Sequence, residues 1–476
     1  MYRVWSLLSL LSAACAVAPA YRASEVPLPR AFRETHDTIV PVADTGTALA
    51  DTSWRNVGDS TLTRLINEAL RANLDVRAAE ARVRGARAAR TEAALDFVPT
   101  VTFGAGYTRQ RIASASFPIA SGSFPDQNIW DGGFDASWEL DLFGRVRRNV
   151  QAQGANVAVN QEDLRNARVS LTAELARAYF DLRGAQEQLS VARQNAANQQ
   201  RTLEVTRQRL DAGRGTAFDT ERAQAQLSFT LASVPLLEAR VRQAQYQIGV
   251  LVGRPPAAVA TELDAIGGLP PLPSAVTVES PDSVVRRRPD VAAAERQLAL
   301  ERALVGAAKA DYLPRITVGG SAGYTASTFD ALGDRGTFRY AVGPILSWPA
   351  LNLGRVKARV DLSRARAAEA QAQYDQTVLL ALQDVESALV RYRTSRSRVE
   401  RIQDAASASE RAAELARLRF TGGVADFLQV LDAERTQLEA EDQLAQGRTD
   451  AATAYAALYK ALGGTWPTLG GTETKQ

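Results

Sequence analysis

Residues 171–210 read LTAELARAYFDLRGAQEQLSVARQNAANQQRTLEVTRQRL and form the centre of a proline-free segment, residues 145–210, whose only glycines are Gly154 and Gly184. Apolar residues recur at every seventh position, and a second series interleaves with the first. The two series are Leu175, Leu182, Leu189, Ala196, Leu203 and Leu210, and Leu171, Ala178, Ala185 and Ala192. Alternating steps of four and three residues are typical of helices that supercoil left-handedly. The segment therefore predicts one helix of roughly 100 Å, packed against other long helices.

The composition argues against several classes of function. The chain has 476 residues, of which 46% are hydrophobic, and 56 basic and 53 acidic residues give a net charge of only +3. This balance implies neither nucleic acid nor an acidic polymer as a partner. One His, one Met and one Cys leave almost no material for soft-metal ligation, a histidine base or disulfides. We therefore expect no enzymatic activity, no cofactor and no metal site.

The first residues are typical of an exported protein. Arg3 is followed by a short apolar run and by small residues that end at Cys15, the only cysteine. This pattern resembles a bacterial lipobox, although Ser12 stands where leucine is usual. It predicts a signal peptide over residues 1–14 and a lipid on Cys15. The alternative is ordinary signal cleavage near Ala18 or Ala20, which would remove Cys15.

The second half of the chain repeats the first. Segments 75–80 and 96–99 recur 215 positions later, and segment 144–146, Gly213 and Gly253 recur 210 positions later. The matched positions include prolines and glycines, which argues against a chance similarity of two alanine-rich helices. The chain is therefore predicted to be an internal duplication. Its two copies differ in length only between the segments that match at an offset of 215 positions and those that match at an offset of 210.

Each repeat contains two segments in which apolar and polar residues alternate. They cover residues 101–107, 130–142, 316–324 and 338–348. A period of two over about ten residues is typical of strands with one apolar and one polar face. The predicted organisation is a leader over 15–59, a first repeat over 60–270 (helix, β-hairpin about 100–142, long helical hairpin 145–253), a second repeat over 271–466 (helix, β-hairpin about 315–349, long helical hairpin 355–463) and a tail over 467–476.

These strands are long enough to cross a bilayer, and aromatic residues lie near their ends, as at membrane interfaces. The aromatic residues are Tyr107, Trp130, Trp138, Tyr324, Tyr340 and Trp348. The face with Asp131, Asp135, Glu139 and Asp141 cannot meet lipid, so we expect it to meet water inside a barrel. Four strands cannot close a barrel alone, because the smallest bacterial barrels have about eight. Two chains would supply eight strands and three would supply twelve; a soluble sandwich is the alternative.

Three strings carry a resemblance to a known family. They are WELDLFGR (138–145), RRPDV (287–291) followed by AAE (293–295), and LYKALGG (458–464) with Trp466. The chain resembles the TolC/OprM family of outer-membrane efflux proteins over nearly its whole length. Its start, CAVAPAY (15–21), is similar to the NodT-type lipoprotein branch. The resemblance implies an α+β membrane protein: a homotrimeric, twelve-stranded β-barrel that continues into a long α-helical coiled-coil barrel.

The resemblance also implies partners and sites. The partners are a periplasmic adaptor and an inner-membrane pump, often of the resistance-nodulation-division class. Leu428 and Asp432 match the periplasmic aperture, although Gln429 and Ala425 stand where the TolC branch has an acid and an arginine. The adaptor-docking tips match Arg209, Leu210 and Gly213 in the first repeat and Arg419 and Gly423 in the second. Two structural alternatives remain open. Asp432 could be a solvent-exposed helix residue without a role in the aperture, and the glycines could be ordinary helix C-caps without a role in docking.

The predicted function is an export duct in the outer membrane that extends into the periplasm and is driven by a partner pump. A general diffusion porin would not need periplasm-length helices. A soluble coiled-coil scaffold would not need period-two strands with aromatic ends.

Overall fold

The computed structural model describes residues 27–34, 39–41, 57–113, 125–273 and 276–464. The predicted signal peptide, Cys15, Trp466 and the tail lie outside these residues. Within them the chain forms two compact units, of which the first holds residues 82–161 and 293–375 and the second holds the remainder. Each unit combines segments of both repeats, so the units do not coincide with the repeats.

The described residues alternate short elements with very long helices. In chain order the elements are β1 (Ile39–Pro41), α1 (Ser60–Ala72), α2 (Leu74–Leu95), β2 (Thr100–Gln110), β3 (Gln127–Leu140), α3 (Arg145–Asp211), α4 (Ala217–Leu251), α5 (Pro256–Glu262), β4 (Val276–Val278), α6 (Pro281–Arg287), α7 (Pro289–Ala310), β5 (Arg315–Ala326), β6 (Phe338–Ser347), α8 (Leu353–Thr421) and α9 (Phe427–Ala461).

The first unit contains one antiparallel sheet in the order β2-β3-β5-β6. The β3–β5 pair joins the two repeats, with Asp135 opposite Ser321. Directly opposed residues share a face, so β3 and β5 bring Gly133 against Gly323 on the polar face. A Cβ atom on Gly133 would lie 2.7 Å from the carbonyl oxygen of Ala322, so only glycine permits this close approach.

Aromatic residues mark both ends of the sheet, as the sequence predicts. At one end, the rings of Tyr107 and Trp130 lie 4.6 Å apart, centroid to centroid. At the other end, the Trp138 indole N–H donates to the carbonyl of Phe97 at 2.9 Å. The Trp348 indole N–H makes the equivalent bond to the carbonyl of Tyr312 at 3.0 Å. The same tryptophan contact therefore occurs in the β-hairpin of each repeat.

The helical hairpins consist of one long and one shorter helix in each repeat. The long helices α3 and α8 have 67 and 69 residues, and the returning helices α4 and α9 have 35 residues each. Apolar residues of the predicted seven-residue series in α3 are buried, among them Leu175, Leu182 and Leu203. No helix within the described residues combines the length and the apolar character needed to cross a membrane.

Three details differ from the sequence-based expectation. The sequence predicts Asp141 on the polar strand face, but β3 ends at Leu140. The Asp141 carboxylate instead accepts the backbone N–H groups of Val146 and Arg147 at the start of α3. The first helix of each repeat is split in two, at Asn73 and at Arg288. A small parallel sheet of β1 and β4 was not predicted, because three-residue strands carry too little periodicity.

Candidate functional site

The two helical tips, residues 211–216 and 421–426, have the same local fold. In the first tip, Gly213 adopts a φ of 68°, its N–H donates to the carbonyl of Leu210, and the N–H of Arg214 donates to the carbonyl of Arg209. This pair of bonds is the Schellman motif that ends many helices with a left-handed glycine. In the second tip, Gly423 has a φ of 77°, and equivalent bonds reach the carbonyls of Phe420 and Arg419.

A side-chain cap starts the returning helix after each tip. The Thr216 hydroxyl accepts the backbone N–H of Asp219, and the Asp426 carboxylate accepts that of Gln429 at 3.1 Å. A side chain at the N-cap position satisfies a helix N–H that would otherwise lack a partner. The tips are therefore fixed by backbone geometry, and their remaining side chains are available for other contacts.

The structure assigns different roles to the two tip arginines. The guanidinium of Arg209 donates to the carbonyl of Phe420 and lies 4.4 Å from the centre of the Phe420 ring. The Phe420 ring packs against Phe427, with 5.8 Å between centroids. Arg209 therefore joins the two tips. Arg419, its equivalent in the second repeat, is exposed and has no ion-pair partner within the described residues.

Leu428 and Asp432 lie one turn apart on the same face of α9, in the first two turns after the second tip. Leu428 is 47% exposed, and the side chain of Asp432 is 77% exposed, with Arg435 at 3.7 Å. Both residues line a groove of about 470 Å³, opposite Arg222 and Phe229 of α4. The structure thus places the two predicted aperture residues together on an exposed surface.

A row of polar contacts joins the two repeats, and the sequence analysis does not predict it. Gln188, Asn195, Thr202 and Arg209 lie seven residues apart on α3, and each donates a hydrogen bond to the second repeat. We call these four residues and their acceptors the polar ladder. The four bonds are Gln188 to Asp442 at 2.8 Å, Asn195 to Glu441 at 2.7 Å, Thr202 to Glu434 at 2.7 Å, and Arg209 to the Phe420 carbonyl.

One acceptor of the polar ladder, Glu434, is a buried acid. Glu434 is 4% exposed, and burial raises the pKa of its carboxyl group above the usual value, while the Thr202 hydroxyl and Arg417 partly oppose this shift. The signal in the sequence is a polar heptad one residue ahead of the apolar heptad Leu189, Ala196, Leu203 and Leu210. Its acceptors could not be deduced, because they lie more than 200 residues away along the chain.

A second buried polar contact lies where each first helix is split. Arg288 is 7% exposed; its guanidinium donates to Asp290 at 2.6 Å and to the carbonyl of Ala461 at 3.1 Å. Burial by itself would raise the pKa of Asp290, but the hydrogen bond and charge of Arg288 outweigh it and hold that pKa below its usual value. At the equivalent position of the first repeat, Asn73 donates to the carbonyl of Leu251 at 3.0 Å.

The predicted lipidation site, Cys15, is not among the described residues. Within the described part of the chain, no group of three or more His, Cys, Asp and Glu side chains is arranged to hold a metal ion.

Comparison with known proteins identifies the family. The family described as "Outer membrane efflux protein" matches residues 65–254 and 281–464, one match in each repeat. Outer membrane protein OprJ of Pseudomonas aeruginosa is 30% identical over 461 residues, which cover 97% of this chain and 95% of OprJ. The outer-membrane channel OprN shows 37% identity and a TM-score of 0.88, and the match covers 95% of this chain and 100% of the OprN chain.

A third relative is the MtrE outer membrane channel of Neisseria gonorrhoeae, which was solved in an open state. It shows 27% identity and a TM-score of 0.80, over 94% of this chain and 98% of the MtrE chain. Structures of this kind are trimeric channels in which a β-barrel is joined to a long helical barrel, and the present chain has their fold. The predicted fold class, the internal duplication and the outer-membrane location are thereby confirmed.

The matches also decide between the functions that the sequence left open. Export through an efflux channel of the outer membrane is confirmed, in preference to a diffusion porin or a soluble scaffold. Members of the family are the outer-membrane components of tripartite pumps, which also contain an adaptor and an inner-membrane pump. With both repeats matched and a relative of 30% identity along almost its full length, this chain belongs to the outer membrane efflux protein family.

Proposed function

We propose that three copies of this chain form a passive export duct whose periplasmic mouth narrows at Leu428 and Asp432. The observation that carries the proposal is the placement of these two side chains on one exposed face of α9, directly after the tip. Three chains would present three leucines and three carboxylates around one axis. An apolar constriction limits flow by dewetting, and a ring of like charge selects ions.

Conductance of the purified protein in planar bilayers tests this aperture. Removing both side chains with Leu428→Ala and Asp432→Ala should raise the conductance, because the constriction loses its apolar bulk and its charge. A matched control is Leu74→Ala with Asp75→Ala, which removes the same two residue types from exposed positions of α2. If the first pair leaves the conductance at the level of wild type, the aperture lies elsewhere.

The tips are proposed as the surface that docks a periplasmic adaptor, through Arg209, Leu210 and Gly213 in one tip and Arg419 and Gly423 in the other. The support is the hydrogen-bonded geometry that the two tips share and the exposed charge of Arg419. The pump in the inner membrane is proposed to be of the resistance-nodulation-division class, as the family resemblance suggests. Because Arg209 also binds Phe420, we propose that it aligns the two tips within the docking surface, while the unpaired charge of Arg419 contacts the adaptor directly.

Site-specific crosslinking tests the docking. An Ala212→Cys variant, exposed in the first tip, should crosslink to the adaptor in cells with a working pump. Ala239→Cys, exposed on α4 well away from the tip, is the control and should remain uncrosslinked. Absence of a crosslink from position 212 in an active pump would argue against docking at this tip.

The lipid anchor is proposed at Cys15, on the basis of the sequence pattern alone. The mass of the mature chain tests it directly. A chain that begins at Cys15 and carries acyl groups supports the anchor, and a chain that begins after Ala18 or Ala20 contradicts it.

A further inference from the structure

The polar face of the four-stranded sheet carries five charged side chains. Cross-strand register assigns them to one face, because Asp131 lies opposite Thr325, Asp135 opposite Ser321, and Gly323 opposite Arg339. The same alternation adds Glu139 and Arg315. In a barrel that spans a membrane, this face lines the water-filled interior, since charged side chains on the other face would meet lipid.

Four of these five charges are neutralised by a partner. Arg339 binds Asp131 at 2.6 Å, and the Thr325 hydroxyl also donates to Asp131 at 2.6 Å. Two further pairs lie toward the helical end of the strands. They are Glu139 with Arg145 at 2.5 Å and Arg315 with Asp311 at 2.6 Å. A close pair of opposite charges leaves little net field for a passing ion.

Asp135 is the charge that remains. Its side chain is exposed, and it has no ion-pair partner within the described residues. Its cross-strand neighbours on the same face are Thr102 and Ser321, and its neighbours along β3 on that face are Gly133 and Ser137. All four are short and uncharged. Arg339 interacts with Asp135 through space, but its guanidinium is hydrogen-bonded to Asp131, so one negative charge remains on this part of the face.

We propose that Asp135 makes the interior of the barrel selective for cations, as a determinant separate from the periplasmic aperture. This inference rests on the proposed function, because a ring of carboxylates requires three chains around one barrel. Three Asp135 residues at the same depth would form the only charged ring on the described sheet whose members lack an ion-pair partner. A ring of acidic side chains favours cations in a water-filled pore.

The test measures ion selectivity in planar bilayers under a potassium chloride gradient. The parent protein carries Leu428→Ala and Asp432→Ala, so that the aperture charge is absent and its constriction is relieved. We expect this parent to prefer potassium over chloride. Adding Asp135→Asn should move the reversal potential toward zero, Asp135→Lys should reverse its sign, and Asp135→Glu should preserve it.

Two further variants complete the design. Ser137→Asn introduces on the same face the same amide side chain as Asp135→Asn, but it removes no charge. It should therefore leave the reversal potential unchanged. Asp135→Ser copies Ser321, which lies opposite, and replaces Asp135→Asn if the latter fails to assemble. An unchanged permeability ratio in conducting channels that lack the Asp135 carboxylate overturns the inference. A parent protein that forms no channels contradicts the proposed function instead.

Discussion

At the scale of single residues, Gly184 shows how closely the helices pack. Gly184 lies in the middle of α3, and a Cβ atom at this position would clash with the side chain of Thr449 on α9. Thr449 is itself buried, and its hydroxyl donates to the carbonyl of Ala445 at 2.8 Å, so it cannot simply turn away. The glycine therefore permits the close approach of α3 to α9 at this point.

Gly184→Ala is expected to destabilise the protein, although alanine is the better helix former. Overpacking a dense core costs about 1–3 kcal/mol, which exceeds the gain in helix propensity of about 1 kcal/mol. Gly85→Ala on α2 is the control, because no atom lies within 4 Å of its added Cβ, and it should be neutral or stabilising. Thermal unfolding followed by circular dichroism measures both changes.

A double variant separates the clash from other effects. Thr449→Ala removes the two nearest of the atoms that meet the new methyl group, Oγ1 and Cγ2, so it should recover part of the stability lost in Gly184→Ala. Equal melting temperatures for Gly184→Ala and Gly85→Ala would show that the close contact between residue 184 and Thr449 does not affect stability.

The type of a residue predicts its backbone conformation more reliably than it predicts which residue its side chain contacts. Gly213 and Gly423 end their helices as the sequence indicates, since a left-handed turn favours glycine. Arg209 and Arg419 occupy equivalent positions, yet only Arg209 reaches across to the other tip. Nothing near either arginine in the sequence distinguishes them, because the difference lies in the opposite repeat.

At the scale of secondary-structure elements, the long helices were predictable and the contacts between them were not. A heptad is a local pattern, so residues 145–210 alone predict α3 to within one residue of its observed end, Asp211. The polar ladder joins α3 to acceptors on α8 and α9 that a local pattern does not identify. The β1–β4 pair escaped prediction because strands of three residues carry too little periodicity.

The ladder contact between Thr202 and Glu434 should stabilise the charged form of the acid. Thr202→Val removes the donor and leaves a buried carboxylate with one distant partner, Arg417 at 3.5 Å. At neutral pH we expect a loss of about 1.5–3 kcal/mol, as for other hydrogen bonds to charged groups. Thr436→Val on α9, the helix of Glu434, is the control, because the exposed Thr436 hydroxyl bonds only to the carbonyl of Asp432.

The loss should depend on pH in a defined direction. The Thr202 hydroxyl lowers the pKa of Glu434 relative to the variant, so the contact favours the ionised acid. Its contribution is therefore present above the pKa of the variant and disappears as the pH falls through the pKa of the wild type. Melting temperatures of the two proteins should converge in acid. A difference that stays constant with pH would mean that Thr202 does not act through the Glu434 charge.

At the scale of the whole molecule, the number of membrane strands decides the assembly. The sheet within the described residues has four strands, and β2 and β6 are its open edges. Unpaired backbone groups on such edges are not tolerated in hydrocarbon, so the edges must pair with other strands. The sequence predicts the four strands, but the number of chains is not encoded in any local pattern and came from family resemblance.

The central claim is that three chains share one barrel, and native mass spectrometry of the purified protein in detergent tests it most directly. The account predicts a complex with three times the mass of the mature chain, which dissociates to unfolded monomers without a stable dimer. A single chain that remains folded in detergent and conducts ions on its own would contradict the account.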